Sequence, residues 1–420
     1  MPAPPAATAD AAIAPPPPGQ LRRVAAALTY RDFRVLWMGA CTSSIGTWMQ
    51  KVAQSWLVLE LTDSAWYLAL DSFVGELPLL LFTLIGGVVA DRLDRRKLLL
   101  ASQCVQMGSA FTLAVLVATS HVTIWYVIAL SFTSGCAQAF GGPAYQSLIP
   151  SLISKEHLPN AIALNSIQFN IARVIGPLLA GAALHAFGMV SCFTLNGISF
   201  LVVIGALLSL HIRHAVGGAR PKMSDELKTG LRYVQADASL VALIVLAFAT
   251  TFLAIPLLTF LPVIAKGVFH EGVGRYSQMM AFSGAGAVAG ALVVAWLGRF
   301  KHMGLTALVV QAAVGVLIAA FAFSRTLAVS ETLLLVTGGL MVMTMSLVTS
   351  LVQLIAPNEM RGRVMSIYMV AFRGGMPLGS LATGKIADMA SAPMALAING
   401  ALLTAVALYF LARGHGIRDL

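Results

Sequence analysis

From residue 33 onward, long apolar stretches alternate with short polar breaks, and this rhythm holds almost to the C-terminus. Each stretch has roughly 20–28 residues, enough for a tilted helix to cross about 30 Å of hydrocarbon. The pattern predicts twelve spans: 33–59, 66–90, 98–120, 124–149, 161–187, 190–210, 240–268, 277–297, 305–323, 332–353, 364–389 and 394–412. One polar stretch, 211–239, interrupts the series at its middle.

Polar residues recur inside the spans at helical spacing and give individual helices a wet stripe. The first carries Ser43, Thr47, Gln50, Lys51 and Gln54, and the second Ser72, Glu76, Thr83 and Gly87. The fourth carries Ser131, Ser134, Gly135, Gln138 and Gly142, and the fifth Ser166, Asn170, Arg173 and Pro177. The tenth has Ser346, Ser350 and Gln353, and the eleventh Ser366, Arg373 and Ser380. Polar groups at membrane depth face a cavity or a neighbouring helix. The stripes therefore predict a water-lined path, hydrogen bonding between helices, or both. Glycine-rich runs at 176–181 and 284–290 read as close-packing faces instead.

Composition agrees. Hydrophobic residues form 58% of the 420-residue chain and charged residues 10%, against about 25% in soluble domains. The mean hydropathy is +0.84. So much apolar surface cannot be hidden in one core, and most of it faces lipid. The net charge of +10 belongs to helix ends rather than to a nucleic-acid surface. With the N-terminus inside, 20 Lys and Arg fall on the cytoplasmic side, 4 outside and 3 within the membrane. That asymmetry predicts a multi-pass protein of the cell inner membrane with both termini cytoplasmic. The first twenty residues are rich in Pro and Ala and read as a disordered tail. Cys41, Cys104, Cys136 and Cys192 lie in apolar stretches without metal-ligand spacing, so no metal and no cofactor is expected.

The halves repeat. A shift of 200 carries Ser166-Ile167 onto Ser366-Ile367, Arg173 onto Arg373, and Pro177-Leu178 onto Pro377-Leu378. Spans five and eleven thus match in the same orientation, which predicts a duplication about an axis along the membrane normal. The expected organisation is a tail (1–20), a six-helix bundle (21–212), a cytoplasmic linker (213–239), a second six-helix bundle (240–413) and a C-terminal tail (414–420).

The sharpest break lies between spans two and three, where Gly86 to Lys97 packs two acids, three arginines and a lysine into a tight hinge. Gly87, Asp91, Arg92, Arg95 and Arg96 match the hinge pattern of the major facilitator superfamily: glycine, three residues, aspartate, a basic residue, any residue, glycine, two basic residues. Asp94 stands where that pattern has glycine. Trp48 to Val58 and Pro357 to Val364 look like the matching segments of enterobactin-exporter-like and macrolide-type efflux proteins. The resemblance runs from about Leu21 to Arg413. It implies an all-α membrane fold of twelve helices in two pseudo-symmetric bundles. It also implies a conformational lock, in which Asp91 and the arginines bridge the halves in the outward-facing state and separate as the protein rocks. The counterpart loop, Leu297 to His302, lacks the acid. Charge-assisted hydrogen bonds at a bilayer edge suit that role physically. The alternative is that the basic residues only set topology.

Of the acids, Glu76 sits well within a span and Asp71 nearer the outer end of the same one. A desolvated carboxyl favours its neutral form, so it can exchange protons with its surroundings. Glu76 is the first candidate for proton coupling and Asp71 the second. Otherwise Glu76 is a permanent ion partner of Lys51 or Arg173. Arg173 and Arg373 each cost at least about 2.5–3.5 kcal/mol in a membrane unless paired. The positive excess predicts a cavity suited to an anionic substrate; the alternative is that each arginine bonds helix-end carbonyls. The substrate cavity is assigned to Gln50, Lys51, Gln54, Gln138, Asn170, Arg173, Gln353 and Arg373.

There is no His-Glu-x-x-His sequence and no phosphate-binding loop ending in Gly-Lys-Ser/Thr, so neither an intramembrane enzyme nor direct use of ATP is expected. The expected activity is proton-coupled export of a small organic molecule, a siderophore or an amphipathic drug, by a monomer working through alternating access. The alternative is a facilitator or an uptake symporter.

Overall fold

A computed structural model describes residues 26–210, 223–413 and 416–418. The expected tail 1–20, most of 414–420, residues 213–222 of the linker, and the side chains of Asp91 and Arg92 lie outside the described residues.

The described chain is helical throughout. In order it forms α1 (Arg31–Thr62), α2 (Ala65–Arg92), α3 (Arg95–Ala118), α4 (Ile124–Leu152), α5 (Leu158–Phe187), α6 (Met189–Ser209), α7 (Met223–Ala236), α8 (Ala238–Leu253), α9 (Pro256–Gly267), α10 (Val273–Leu297), α11 (Met303–Phe323), α12 (Leu327–Ile355), α13 (Arg361–Met389) and α14 (Ala392–Arg413). Ten stretches among the described residues are long and apolar enough to cross a membrane, with α8 and α9 together making one. The polar-striped α1 and α13 are not among those ten, although they run 32 and 29 residues.

Local chemistry explains the boundaries. Ser64 caps α2 by accepting from the Trp66 amide at 3.2 Å. Asp237 caps α8, accepting from Ser239 and Leu240 at 2.8 and 3.2 Å. The expected single span 240–268 is two helices, because Pro256 has no amide to donate and starts a new helix at its first position. Part of the expected linker is also helical: α7 lays Tyr233 and Val234 on the core and packs on α8 and α13.

In the first half α1 packs on α5 and α6, α2 on α4, and α3 on α4 and α6. In the second α10 packs on α12, α11 on α12 and α14, and α13 on α8 and α14. Two larger joints connect the halves, α2 on α13 and α5 on α10, and α9 adds smaller contacts with α1 and α2. Glycines allow the close approaches: a Cβ on Gly135 would strike the Gly75 carbonyl, and one on Gly338 the Ser283 carbonyl. Gly284, Gly286 and Gly290 press on the backbones of Arg173, Leu335 and Gly339, as a close-packing face requires.

The apolar core is unequal at the two ends of the bundle. At the end away from the termini, one cluster runs through both halves, from Trp56, Leu57 and Leu68 to Phe260, Tyr276 and Leu396. At the end bearing the termini the core is divided. One cluster holds only second-half residues such as Leu243 and Tyr368, and two others only first-half residues such as Leu36, Leu99 and Phe33. The named polar links between halves sit at the joined end. Lys266 Nζ is 2.7 Å from Asp63 Oδ1, Ser64 Oγ reaches Asp388 Oδ1 at 3.4 Å, and Trp56 stacks on Tyr276 with centroids 6.3 Å apart. The molecule is thus closed at one end and parted at the other.

Candidate functional site

Polar residues of α1, α2, α4 and α6 meet in one network. Asp71 is buried, with 8% of its surface exposed. Ser131 Oγ of α4 donates to Asp71 Oδ1 at 2.5 Å, and Gln54 Nε2 of α1 donates to Asp71 Oδ2 at 2.9 Å. The same Gln54 nitrogen is 2.8 Å from Ser131 Oγ. Both carboxylate oxygens therefore accept, an arrangement that suits the ionised form. Gln50 lies one turn earlier on α1, its Nε2 3.5 Å from Gln54 Oε1, and its own Oε1 accepts from Asn196 Nδ2 of α6 at 2.7 Å.

Beside this network is a charged cluster. Lys51 Nζ is 4.0 Å from Glu76 Oε1, and their side chains are 58% and 36% exposed. An ion pair this open is worth at most about 1 kcal/mol. The Lys51 ammonium lies 5.5 Å from the Trp48 ring centroid and the Arg173 guanidinium 5.9 Å from it. Of the two acids, Asp71 is thus enclosed and fully bonded, while Glu76 is open and paired with a cation.

The remaining expected site residues do not join. Gln138 Oε1 accepts from Gln106 of α3 at 3.4 Å, and Asn170 Nδ2 donates to the Ser166 carbonyl of its own helix at 2.8 Å. Gln353 and Arg373 are exposed. Arg173 and Arg373 match in sequence but not in surroundings, which corrects the reading of equivalent sites. A Cβ on Gly176 would meet Trp48, the Ile45 carbonyl and the Met49 amide, and one on Gly375 would meet Thr251, the Phe248 carbonyl and the Phe252 amide. Gly375 therefore fills the place of Gly176, one residue out of step with the 200-residue shift, and Arg373 is turned by one helical position.

At the hinge, Asp94 takes an extended conformation and caps α3, its Oδ1 accepting from the Arg96 and Lys97 amides at 2.9 and 3.3 Å. That capping explains an aspartate where the family pattern has glycine. Arg95 donates to the Ser147 carbonyl at 3.1 Å and Arg96 to the Leu208 carbonyl at 2.7 Å, both within the first half. A Cβ on Gly87 would meet nothing within 4 Å.

The two halves differ chemically where they are alike geometrically. Asp71 and Ser131 each precede the Gly75–Gly135 contact by one turn. Met279 and Leu334 precede the corresponding Ser283–Gly338 contact by one turn, and both are buried. Gln54 lies six residues after Trp48, and Leu257 lies six after Thr251. The acid network thus stands opposite an apolar trio. Asn196-Gly197 and Asn399-Gly400 mark the same repeat in α6 and α14, a match visible in the sequence, and Asn196 joins the network without being among the expected site residues. A groove of about 480 Å³ between α5 and α10, lined by Val174, Leu178, Ala281 and Phe282, lies off this site and carries none of its polar groups.

Similarities to known proteins agree with this architecture. The sequence pattern of a family described as transmembrane secretion effector matches residues 24–414. The chain is 23% identical over 390 residues to macrolide efflux protein A of Streptococcus pyogenes, covering 90% of this chain and 94% of that one. It is 22% identical over 380 residues to the enterobactin exporter of Citrobacter koseri, covering 90% and 91%. In fold it is similar to the crystal structure of a bacterial homologue of the human lysosomal transporter Spinster, in an inward-facing and occupied conformation. The TM-score is 0.70 at 14% identity, over 93% of this chain and 96% of that one.

Proposed function

The chain belongs to the transmembrane secretion effector family of the major facilitator superfamily, and from that premise we propose that it exports a small organic molecule across the inner membrane in exchange for protons. The reading rests on twelve spans, with α8 and α9 together forming the seventh, arranged as two six-helix bundles over 21–212 and 240–413. Both termini face the cytoplasm, and the monomer is the working unit. The state described above is then the inward-facing one, with the parted end toward the cytoplasm. Export requires the opposite state, in which the α1–α2 turn leaves Lys266 and the hinge residues Gly87, Asp91, Arg92, Arg95 and Arg96 meet the second half.

The observation that carries the reading is the enclosed carboxylate between three helices of a molecule parted at one end. Asp71 is the acid that geometry favours for carrying the proton. A shift of α1 or α4 that withdraws Gln54 or Ser131 removes its donors and favours protonation, so proton uptake and helix movement are linked. Glu76, the first candidate from the sequence, takes second place in this proposal because it is open and already faces Lys51. The substrate is a siderophore or an amphipathic drug; macrolide and enterobactin are what the named relatives carry.

Deletion of the gene tests this. Growth on a panel of toxic amphipathic compounds and the siderophore retained by iron-starved cells are both measured. Greater sensitivity or greater retention, reversed by the intact gene and by no Asp71→Asn variant, is expected. Unchanged growth and retention, or net uptake into proteoliposomes under a proton gradient, would contradict export.

A further inference from the structure

We propose that Trp48, Lys51, Phe169 and Arg173 form a subsite for the anionic, ring-bearing part of the transported molecule; this deepens the transporter reading and rests on it. The Trp48 and Phe169 rings meet edge to face, with centroids 6.0 Å apart and planes at 70°. The two cations lie 5.5 and 5.9 Å from the same indole. Phe169 is exposed.

Helical position says which way this group faces. Ser166, Phe169, Asn170, Arg173 and Pro177 share one side of α5. Ile167, Ile171, Ile175 and Leu178 share the other and are exposed, as a lipid-facing side is. The cluster therefore lies on the polar side of α5, toward the gap between the halves. Its counterparts in the second half, Thr251 for Trp48 and Ala254 for Lys51, have neither ring nor charge.

Among the described residues no carboxylate pairs with Arg173, and Lys51 has only the open contact with Glu76 at 4.0 Å. A cation at membrane depth is costly unless paired, and an indole face returns only part of that cost. A carboxylate or phenolate arriving between Lys51 and Arg173 supplies the missing partner, and a ring attached to it covers Phe169 and the Trp48 edge. Glu76 competes with that anion for Lys51.

Binding to the purified full chain in lipid nanodiscs tests the subsite by calorimetry with three probes: 2-naphthoate, its saturated decalin analogue, and 2-naphthylmethylamine. Naphthoate should bind about tenfold more tightly than either of the others, a difference of about 1.4 kcal/mol. Lys51→Gln and Arg173→Gln should each weaken it several-fold. Lys51→Arg and Arg173→Lys should retain most of it, which separates lost charge from lost folding. Glu76→Gln should tighten it, a direction that a purely structural ion pair does not give. Trp48→Leu should abolish the preference for naphthoate over decalin carboxylate. Equal or tighter binding of the amine, indifference to the charge variants, weakening by Glu76→Gln, or no binding of any probe would overturn the proposal. Naphthoate binding without export in everted vesicles would leave the subsite standing and remove the exporter.

Discussion

Asp71 is buried and accepts from Ser131 and Gln54. The second half shows what the same positions hold when no acid is needed: Met279, Leu334 and Leu257. Removing one partner of a buried polar group costs about 1–3 kcal/mol, whereas replacing all partners by apolar groups of similar shape is nearly neutral. Asp71→Met alone should therefore destabilise the protein, and adding Gln54→Leu and Ser131→Leu should restore the thermal midpoint in detergent. Both variants should lose pH-gradient-driven export; retention of driven export by the triple variant would exclude Asp71 from coupling. The sequence showed both acids but not their difference. Burial depends on how α2 is rotated against α4, and the Gly75–Gly135 approach sets that rotation. Trp48 carried no site signal of its own in the sequence, because a tryptophan in an apolar run looks alike whether it packs on leucine or lies beside two cations.

At the scale of the elements, the hydropathy rhythm made the helices legible to within a few residues, since lipid forces every backbone amide to pair within its own helix. Two features escaped it. The break before Pro256 left no polar residue to betray it, and α7 is amphipathic, so its polar face made the whole stretch look like a linker. The hinge shows a third, finer effect. Asp94→Ala should cost α3 its cap, about 1 kcal/mol, read as a lower unfolding midpoint. Gly87 behaves oppositely. Its Cβ position is empty here, so Gly87→Leu should leave the midpoint unchanged yet abolish export, because the added side chain stands where the parted end must close. A variant that transports normally would remove Gly87 from the lock. Gly286→Val should be far more damaging, since the new side chain meets the Leu335 carbonyl and overpacking costs about 1–3 kcal/mol.

For the whole molecule, the division of the core is the informative feature. A cluster continuous across both halves at one end and separate clusters at the other are what the proposed rocking between two states requires of one of them. The links at the joined end are weak enough to release: Lys266 and Asp63 are both exposed, and such a pair is worth about 0–1 kcal/mol. A repeat between α5 and α13 was readable in the sequence, one residue out of step with the packing, whereas the chemical inequality of the halves was not, because it needs the packing to align α2 with α10. The direct test of rocking is a cross-link at the joined end. In a variant with Cys41, Cys104, Cys136 and Cys192 replaced by serine, Asp63→Cys and Lys266→Cys are introduced together, and export into everted vesicles is followed before and after bridging by a short bis-methanethiosulfonate reagent. The account predicts efficient cross-linking, export reduced to background, and full recovery on reduction; undiminished export by the cross-linked protein would contradict it.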